Sequence, residues 1–335
     1  METKESWKQA GYACEPLPRE LQEDPAALAE AIKALCREKQ AVILAHYYTA
    51  PEVQDIADFV GDSLALARQA AQTDARVIVM CGVHFMGETC KILCPEKTVL
   101  VPDLNASCSL ADSCPAEAFE AFVRENPGRT VVSYVNTSAA VKALTDVVVT
   151  SSNARAVVES LPEGEKILFG PDRNLGNYLR ALTGRDMIVW DGACHVHERF
   201  STEAIVRLRA ENPGAEVLVH PECRASVVAL ADKVGSTAAL LEHARSSAAG
   251  VFIVATESGI LHQMRRSCPD KRFIPVPPEA PETLGCACNE CAYMRLITLE
   301  KLYNALKAGW PEVDVPEALT RRARQPIERM LAQQK

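Results

Sequence analysis

Short, wholly apolar runs alternate along this chain with longer stretches in which apolar residues recur every three or four positions. The runs Val42–Ala45, Val77–Met80, Val99–Val101, Val131–Val135, Val147–Val149, Ile167–Phe169, Met187–Trp190, Val217–Val219 and Val251–Ala255 predict strands buried on both faces. Between them, Pro25–Glu38, Ser63–Ala71, Pro115–Arg124, Ser152–Ser160, Thr202–Ala210 and Thr237–Ser246 predict helices. Continuous apolar strands separated by helices build parallel sheets covered on both sides. The fold class is therefore α/β.

The alternation has a long period. Glu125-Asn-Pro-Gly128 recurs as Glu211-Asn-Pro-Gly214, a shift of 86 residues, each time between a helix and a strand. Tyr134-Val-Asn136 and His220-Pro-Glu222 follow those strands, again 86 apart, and His46-Tyr-Tyr48 stands 88 residues before the first. Seventeen residues beyond His46, Tyr134 and His220 lie Ser63, Ser151 and Thr237. A fixed period of this size is the mark of repeated structural units. The reading is three homologous α/β units near 25–110, 111–196 and 197–291, after an N-terminal arm over 1–24 and before a C-terminal helical tail over 292–335.

Composition narrows the function. The 335 residues are 48% hydrophobic and 24% charged, an ordinary globular balance, and no apolar stretch approaches a membrane span. The charged N-terminus lacks the apolar core of a signal peptide, so a cytoplasmic protein is expected. A net charge of −8 argues against nucleic acid as a partner. Thirteen cysteines without an export signal point to metal binding or catalysis rather than to a disulfide framework.

In each unit the first strand ends in polar residues: His46 and Tyr48, Tyr134 and Asn136, His220 and Glu222. Ligands of parallel sheets bind beyond the carboxyl ends of the strands, and three related units around an axis would aim these six side chains at one cleft. Ser63, Ser151 and Thr237 stand where helices begin. They read as N-cap hydroxyls, as holders of an anionic ligand, or as both. Among the cysteines, Cys36 and Cys81 read as core residues. Cys90 and Cys94, spaced i, i+4, read as packing or half a metal site, and Cys223 lies near the cleft. Cys286-Ala-Cys288-Asn-Glu-Cys291 follows the last strand of the third unit, at the place that Cys108 and Cys194 hold in the others. One cysteine per unit gives three thiolates, one fewer than a cubane cluster normally takes, so one iron would keep an open position. Spacing alone does not choose among Cys286, Cys288 and Cys291. Cys288 and Cys291 also have the spacing of a pair that oxidises to a disulfide.

These motifs together resemble the quinolinate synthase A family. The resemblance is carried by His46-Tyr-Tyr48, Pro51–Ser63, Cys81–Met86, Cys108–Ser113, Ser133–Thr137, Thr150–Asn153, Val196–Glu198, His220–Cys223, Gly235–Thr237, Thr256–Gly259 and Cys286–Met294. It implies three pseudo-symmetric three-layer α/β/α units with parallel sheets around a central [4Fe-4S] cluster. The implied activity belongs to NAD biosynthesis: iminoaspartate and dihydroxyacetone phosphate condense to quinolinate, releasing phosphate and water. The implied metal ligands are Cys108, Cys194 and Cys291. Catalytic roles fall to His46, Tyr48, Tyr134, His197 and Glu222, and ligand binding to His46, Ser63, Tyr134, Asn136, Ser151, His220, Glu222 and Thr237. Transient contact with an aspartate oxidase or dehydrogenase that makes the imine is an expected partnership. Two alternatives stand beside this reading: another iron–sulfur lyase or hydratase on the same scaffold, and a non-enzymatic redox sensor.

Overall fold

The computed structural model describes residues 16–279 and 289–332. Among the described residues, twelve strands form three four-stranded sheets. The first contains β1 (Ala41–His46), β2 (Phe59–Gly61), β3 (Val77–Cys81) and β4 (Thr98–Leu100), in the order β2-β1-β3-β4. The second holds β5 (Thr130–Tyr134), β6 (Val147–Val149), β7 (Ile167–Gly170) and β8 (Met187–Val189), in the order β6-β5-β7-β8. The third holds β9 (Glu216–Val219), β10 (Lys233–Val234), β11 (Val251–Ala255) and β12 (Arg272–Pro275), in the order β10-β9-β11-β12. Every pairing within these sheets is parallel. The one order, used three times, is the structural form of the sequence repeat.

Local chemistry repeats with it. The Asp58 carboxylate accepts from the Ile43 N–H at 2.7 Å, Asp146 from Val131 at 2.8 Å and Asp232 from Val217 at 2.8 Å. In each case the aspartate lies 15 residues beyond the amide it holds, and it ties the entry of an edge strand to the strand beside it. The two Glu-Asn-Pro-Gly copies also fold alike. Asn126 and Asn212 each donate to the carbonyl four residues back, and Gly128 and Gly214 turn the chain at φ 74° and 84°. A side chain at either glycine would be strained.

The anticipated strands and helices are present, with ends shifted by one or two residues. The short edge strands β2, β10 and β12 extend the sheets further than the apolar runs indicated. The sequence pattern did not single out the helices Arg173–Thr183 and Ile260–Ser267. Edge strands of two to four residues, partly exposed, leave little apolar signal.

An apolar core runs through the first two units and the tail, from Leu28 and Ile43 through Val148 and Phe169 to Ile327 and Met330, and a small separate core around Phe119, Val131 and Leu168 covers the other face of the second sheet. The third unit has separate cores on the two faces of its sheet, around Val217 and Ile253 on one side and Leu240 and Phe252 on the other. The helices Leu299–Ala308 and Glu317–Ala332 form the tail. Among the described residues, no helix is long and apolar enough to cross a membrane.

Candidate active site

The strand ends converge. His46, Tyr48, Ser63, Tyr134, Asn136, Ser151, His197, His220, Glu222 and Thr237 line one cavity together with Cys108, Cys194 and Cys291. Every residue to which the resemblance gave a role in catalysis, ligand binding or metal ligation is on this wall.

The first and third units present their histidines in the same way. The Tyr48 N–H donates to His46 Nδ1 at 3.2 Å, and the Glu222 N–H to His220 Nδ1 at 3.3 Å. A ring that accepts at Nδ1 carries its proton on Nε2 when neutral. Burial lowers His46 to about 4 and His220 to about 3, partly opposed by nearby carboxylates, so both rings are neutral at pH 7. His220 Nε2 then donates to Ser151 Oγ, 3.2 Å away.

Glu222 is the charged centre. It is 3% exposed; burial alone would raise its carboxyl. His197 Nδ1 at 3.4 Å, His220 and the Tyr134 phenol, which donates at 2.6 Å, hold it below the usual carboxylate range instead. Tyr48 differs in kind. Its hydroxyl meets Thr237 Oγ1 at 2.9 Å and Thr256 Oγ1 at 2.8 Å, and burial keeps the phenol protonated. Thr256 also meets His197 Nε2 at 3.0 Å, so a continuous polar chain runs from Tyr48 through Thr256 and His197 to Glu222.

The helix starts require a correction. Ser63 and Thr237 are not caps: Asp62 caps the helix Ser63–Gln72 through the Ala65 N–H, and Ser236 caps Thr237–Ser246 through the Ala239 N–H. Ser151 lies in the turn before Ala154–Ser160, where Asn153 holds the cap position. A cap sits one residue before the first helical turn, which leaves the next hydroxyl facing the cavity. Ser63 and Asn136 make no side-chain hydrogen bond among the described residues and are open to a ligand. Ser152, next to Ser151, joins the units by pairing with Asp62 at 2.6 Å and Ser236 at 2.8 Å.

The thiols sort by place. Cys90 and Cys94 are buried packing residues, and Cys94 Sγ points at the Ala70 carbonyl, so the half-site reading of that pair is discarded. Cys223 faces the Ala255 carbonyl, inside the third unit's core and away from the cavity. Cys286 and Cys288 lie outside the described residues, and with them the expected Cys288–Cys291 bond. Burial pushes the thiols of Cys108 and Cys291 up to about 12 and about 11, and that of Cys194 well up. Such thiols ionise readily only when a bound cation compensates their charge. Among the described residues, the tight donor group is Cys194, His197 and Glu222, all within 4.8 Å of one another. Cys108 and Cys291 line the same cavity outside that group. A set spread this way suits a multinuclear group better than one ion with ligands at about 2.3 Å.

Sequence reasoning missed two residues here. Thr256 bridges the polar chain just described. Glu257 is 1% exposed and accepts from the Cys291 N–H at 3.0 Å and the Gly259 N–H at 2.6 Å; burial pushes its carboxyl up to about 8. Both follow β11, so the polar-strand-end rule would have found them had it been applied to the second central strand as well as the first.

The model of the family described as quinolinate synthetase A protein matches residues 30–332. The chain belongs to the quinolinate synthase family. It is 55% identical over 307 residues to the quinolinate synthase of Nostoc sp. strain PCC 7120, covering 92% of this chain and 94% of that one. It is 56% identical over 307 residues to that of Rippkaea orientalis, covering 92% and 93%. Over 300 residues it is 52% identical to that of Cyanophora paradoxa, covering 90% of each. Members of this family are enzymes, and the three-sheet fold described above is the scaffold on which this one carries its site.

Proposed function

We propose that this protein is the quinolinate synthase of NAD biosynthesis, condensing iminoaspartate with dihydroxyacetone phosphate and releasing phosphate and water. The observation that carries the reading is that every residue to which the resemblance gave a role in catalysis, ligand binding or metal ligation lines one cavity. In this reading Cys108, Cys194 and Cys291 hold a [4Fe-4S] cluster. With one iron lacking a protein ligand, such a cluster supplies a Lewis acid to a substrate oxygen.

The chain's own groups divide the remaining work. Glu222, ionised and buried, takes a proton from a substrate carbon or nitrogen at a carboxylate oxygen, while the Tyr134 hydroxyl steadies the charge. Tyr48 presents a protonated phenol and His46 a neutral ring, suited to donating at the triose oxygens. The hydroxyls of Ser63, Ser151 and Thr237, the Asn136 amide and His220 hold carboxylates and phosphate. His197 links the two proton-handling sides through Thr256. The boundaries 25–110, 111–196 and 197–291, a cytoplasmic setting and transient docking of the imine-forming oxidase or dehydrogenase belong to the same reading. The docking is supported by the ready hydrolysis of the imine.

A second reading has its own support. The tight group Cys194, His197 and Glu222 fits one divalent ion. Anaerobic purification, metal analysis and assay with both named substrates decide between them. The cluster reading expects several irons per chain, quinolinate formation, and loss of both in Cys108→Ala, Cys194→Ala and Cys291→Ala. One metal ion per chain, retained in Cys108→Ala, selects the second reading.

A further inference from the structure

Lys142 has no place in the scheme above. It closes the short helix Ala139–Lys142 and is 0% exposed; among the described residues no other lysine, and no arginine, is buried. Its ammonium donates to the Thr137 carbonyl and lies 5.2 Å from the centre of the Phe85 ring. It makes no ion pair among the described residues. The Glu88 carboxylate, which accepts from the Ala139 N–H at 3.0 Å, favours the charged form of Lys142 without pairing with it directly. Phe85 lines the cavity, whereas Lys142 does not reach its surface. A buried ammonium without a direct ion pair costs free energy that one carbonyl, one ring and a carboxylate out of contact recover only in part.

The repeat supplies an internal control for what the fold requires at this point. Gln54 stands 88 residues before Lys142, also buried, and donates to the Thr49 carbonyl at 2.8 Å. Thr49 is itself 88 residues before Thr137. Both threonines donate back to a strand-end carbonyl, that of His46 at 2.9 Å and that of Tyr134 at 3.1 Å. The same loop is thus clasped from the same place, by a neutral amide in one unit and by an ammonium in the other. In the third unit the matching position, 86 residues on, is Val228, whose side chain has no donor. The loop needs no positive charge. The cavity beside it, whose ligands under the reading above are all anions, does.

We propose that Lys142 is the buried counter-cation of the cavity, acting through and around Phe85 to hold ligands that carry two negative charges. This rests on the quinolinate synthase reading and adds a specificity-determining residue to it. Burial draws the ammonium down to about 8, while Glu88 and Cys108 raise it, so at pH 7 most of it is charged. In low dielectric that charge acts over about 10 Å with little screening.

The test uses cluster-replete Lys142→Gln, which copies the arrangement at Gln54. Iron is measured first, then quinolinate (two carboxylates) and picolinate (one) are titrated anaerobically. Quinolinate affinity should fall about ten-fold or more and picolinate affinity about three-fold, because the lost attraction scales with ligand charge. Equal losses for the two acids, or none, would overturn the proposal. Iron loss with wild-type affinity in the remaining holoenzyme would assign the charge to Cys108 and overturn it too. If Lys142→Gln does not fold, Lys142→Met takes its place; failure of both shows that the fold needs the cation, and the proposal falls. Wild-type holoenzyme that binds neither acid refutes the quinolinate synthase reading itself, and that outcome is visible before any variant is made.

Discussion

The first two units and the third are built from one plan but joined by different forces. The first two share a continuous apolar core with the tail, whose last helix packs on β6 and on the helices His84–Leu93 and Ala139–Lys142. Asn153 Nδ2 donates to the Met330 carbonyl at 3.1 Å and Arg329 to the Asp146 carbonyl at 2.8 Å, fixing that helix in register. The third unit keeps its own cores. Apart from Tyr47, Tyr48 and Cys291, it meets the others chiefly through polar groups. Gln54 donates to the Gly259 carbonyl at 3.1 Å, Gln263 to Gln54 at 3.0 Å, Tyr134 to Glu222, and Ser152 pairs with Ser236. Apolar burial is strong and indifferent to direction, while hydrogen bonds are weaker and specify one alignment. The cavity therefore lies on a seam set by direction rather than by area, and its ionised carboxylate comes from the separately cored side.

The largest effect should come from crossing that seam at its charged point. Glu222→Gln should lower turnover by about a thousand-fold, within the usual range for removing a general base, while iron content and thermal stability hold. Activity within a few-fold of wild type would move the base to another residue. Next, Ile327→Ala in the tail should cost about 2–5 kcal/mol, read from urea unfolding. Hydrogen exchange should show the loss in β1, β3, β5 and β7, with β9 and β11 keeping their protection. A uniform loss across all three sheets would break the comparison.

Acid should also act at the cavity. His46 and His220 are held neutral in the folded protein, at about 4 and about 3, whereas unfolded histidine titrates near 6.5. Protons then favour the unfolded chain, so this part of the stability is complete above pH 6.5 and is lost as pH falls from there toward 4. Each histidine contributes a slope of about 1.4 kcal/mol per pH unit. Urea midpoints at pH 7 and pH 5 should differ accordingly, and His46→Gln should flatten the dependence. The smallest effect belongs to the rim. Asp55 reaches His262 at 2.7 Å and Arg266 at 3.1 Å near the surface, and Asp55→Asn should cost under about 1 kcal/mol.

Much of this was legible in the sequence for a definite reason. Strand ends such as His46-Tyr-Tyr48 combine an apolar run with abrupt polarity, and the period of 86 to 88 residues lines them up. What failed to show was either too short or too dependent on tertiary context. β10 is two half-buried residues, and no composition rule finds it. The caps at Asp62 and Ser236 were displaced by one position, because a hydroxyl before a helical run signals a helix start more sharply than it marks the cap. Thr256 gains its meaning only from two partners that the fold supplies, Tyr48 and His197. The aspartates Asp58, Asp146 and Asp232 had a readable signal, 15 residues after an inner-strand amide in every unit, but that signal means nothing until the edge strands are known.

Those three aspartates reach beyond the sheets they tie. The same lock, with the same spacing and in the same place, is what copying a short ancestral chain twice would leave behind. Three identical copies around an axis offer a ligand three identical groups, which suits a symmetric guest and serves poorly two unlike reactants. Once the copies are one polypeptide, each can drift alone. The positions now held by Tyr48, Asn136 and Glu222 have become a phenol, an amide and a carboxylate, while the aspartate beneath each has stayed as it was.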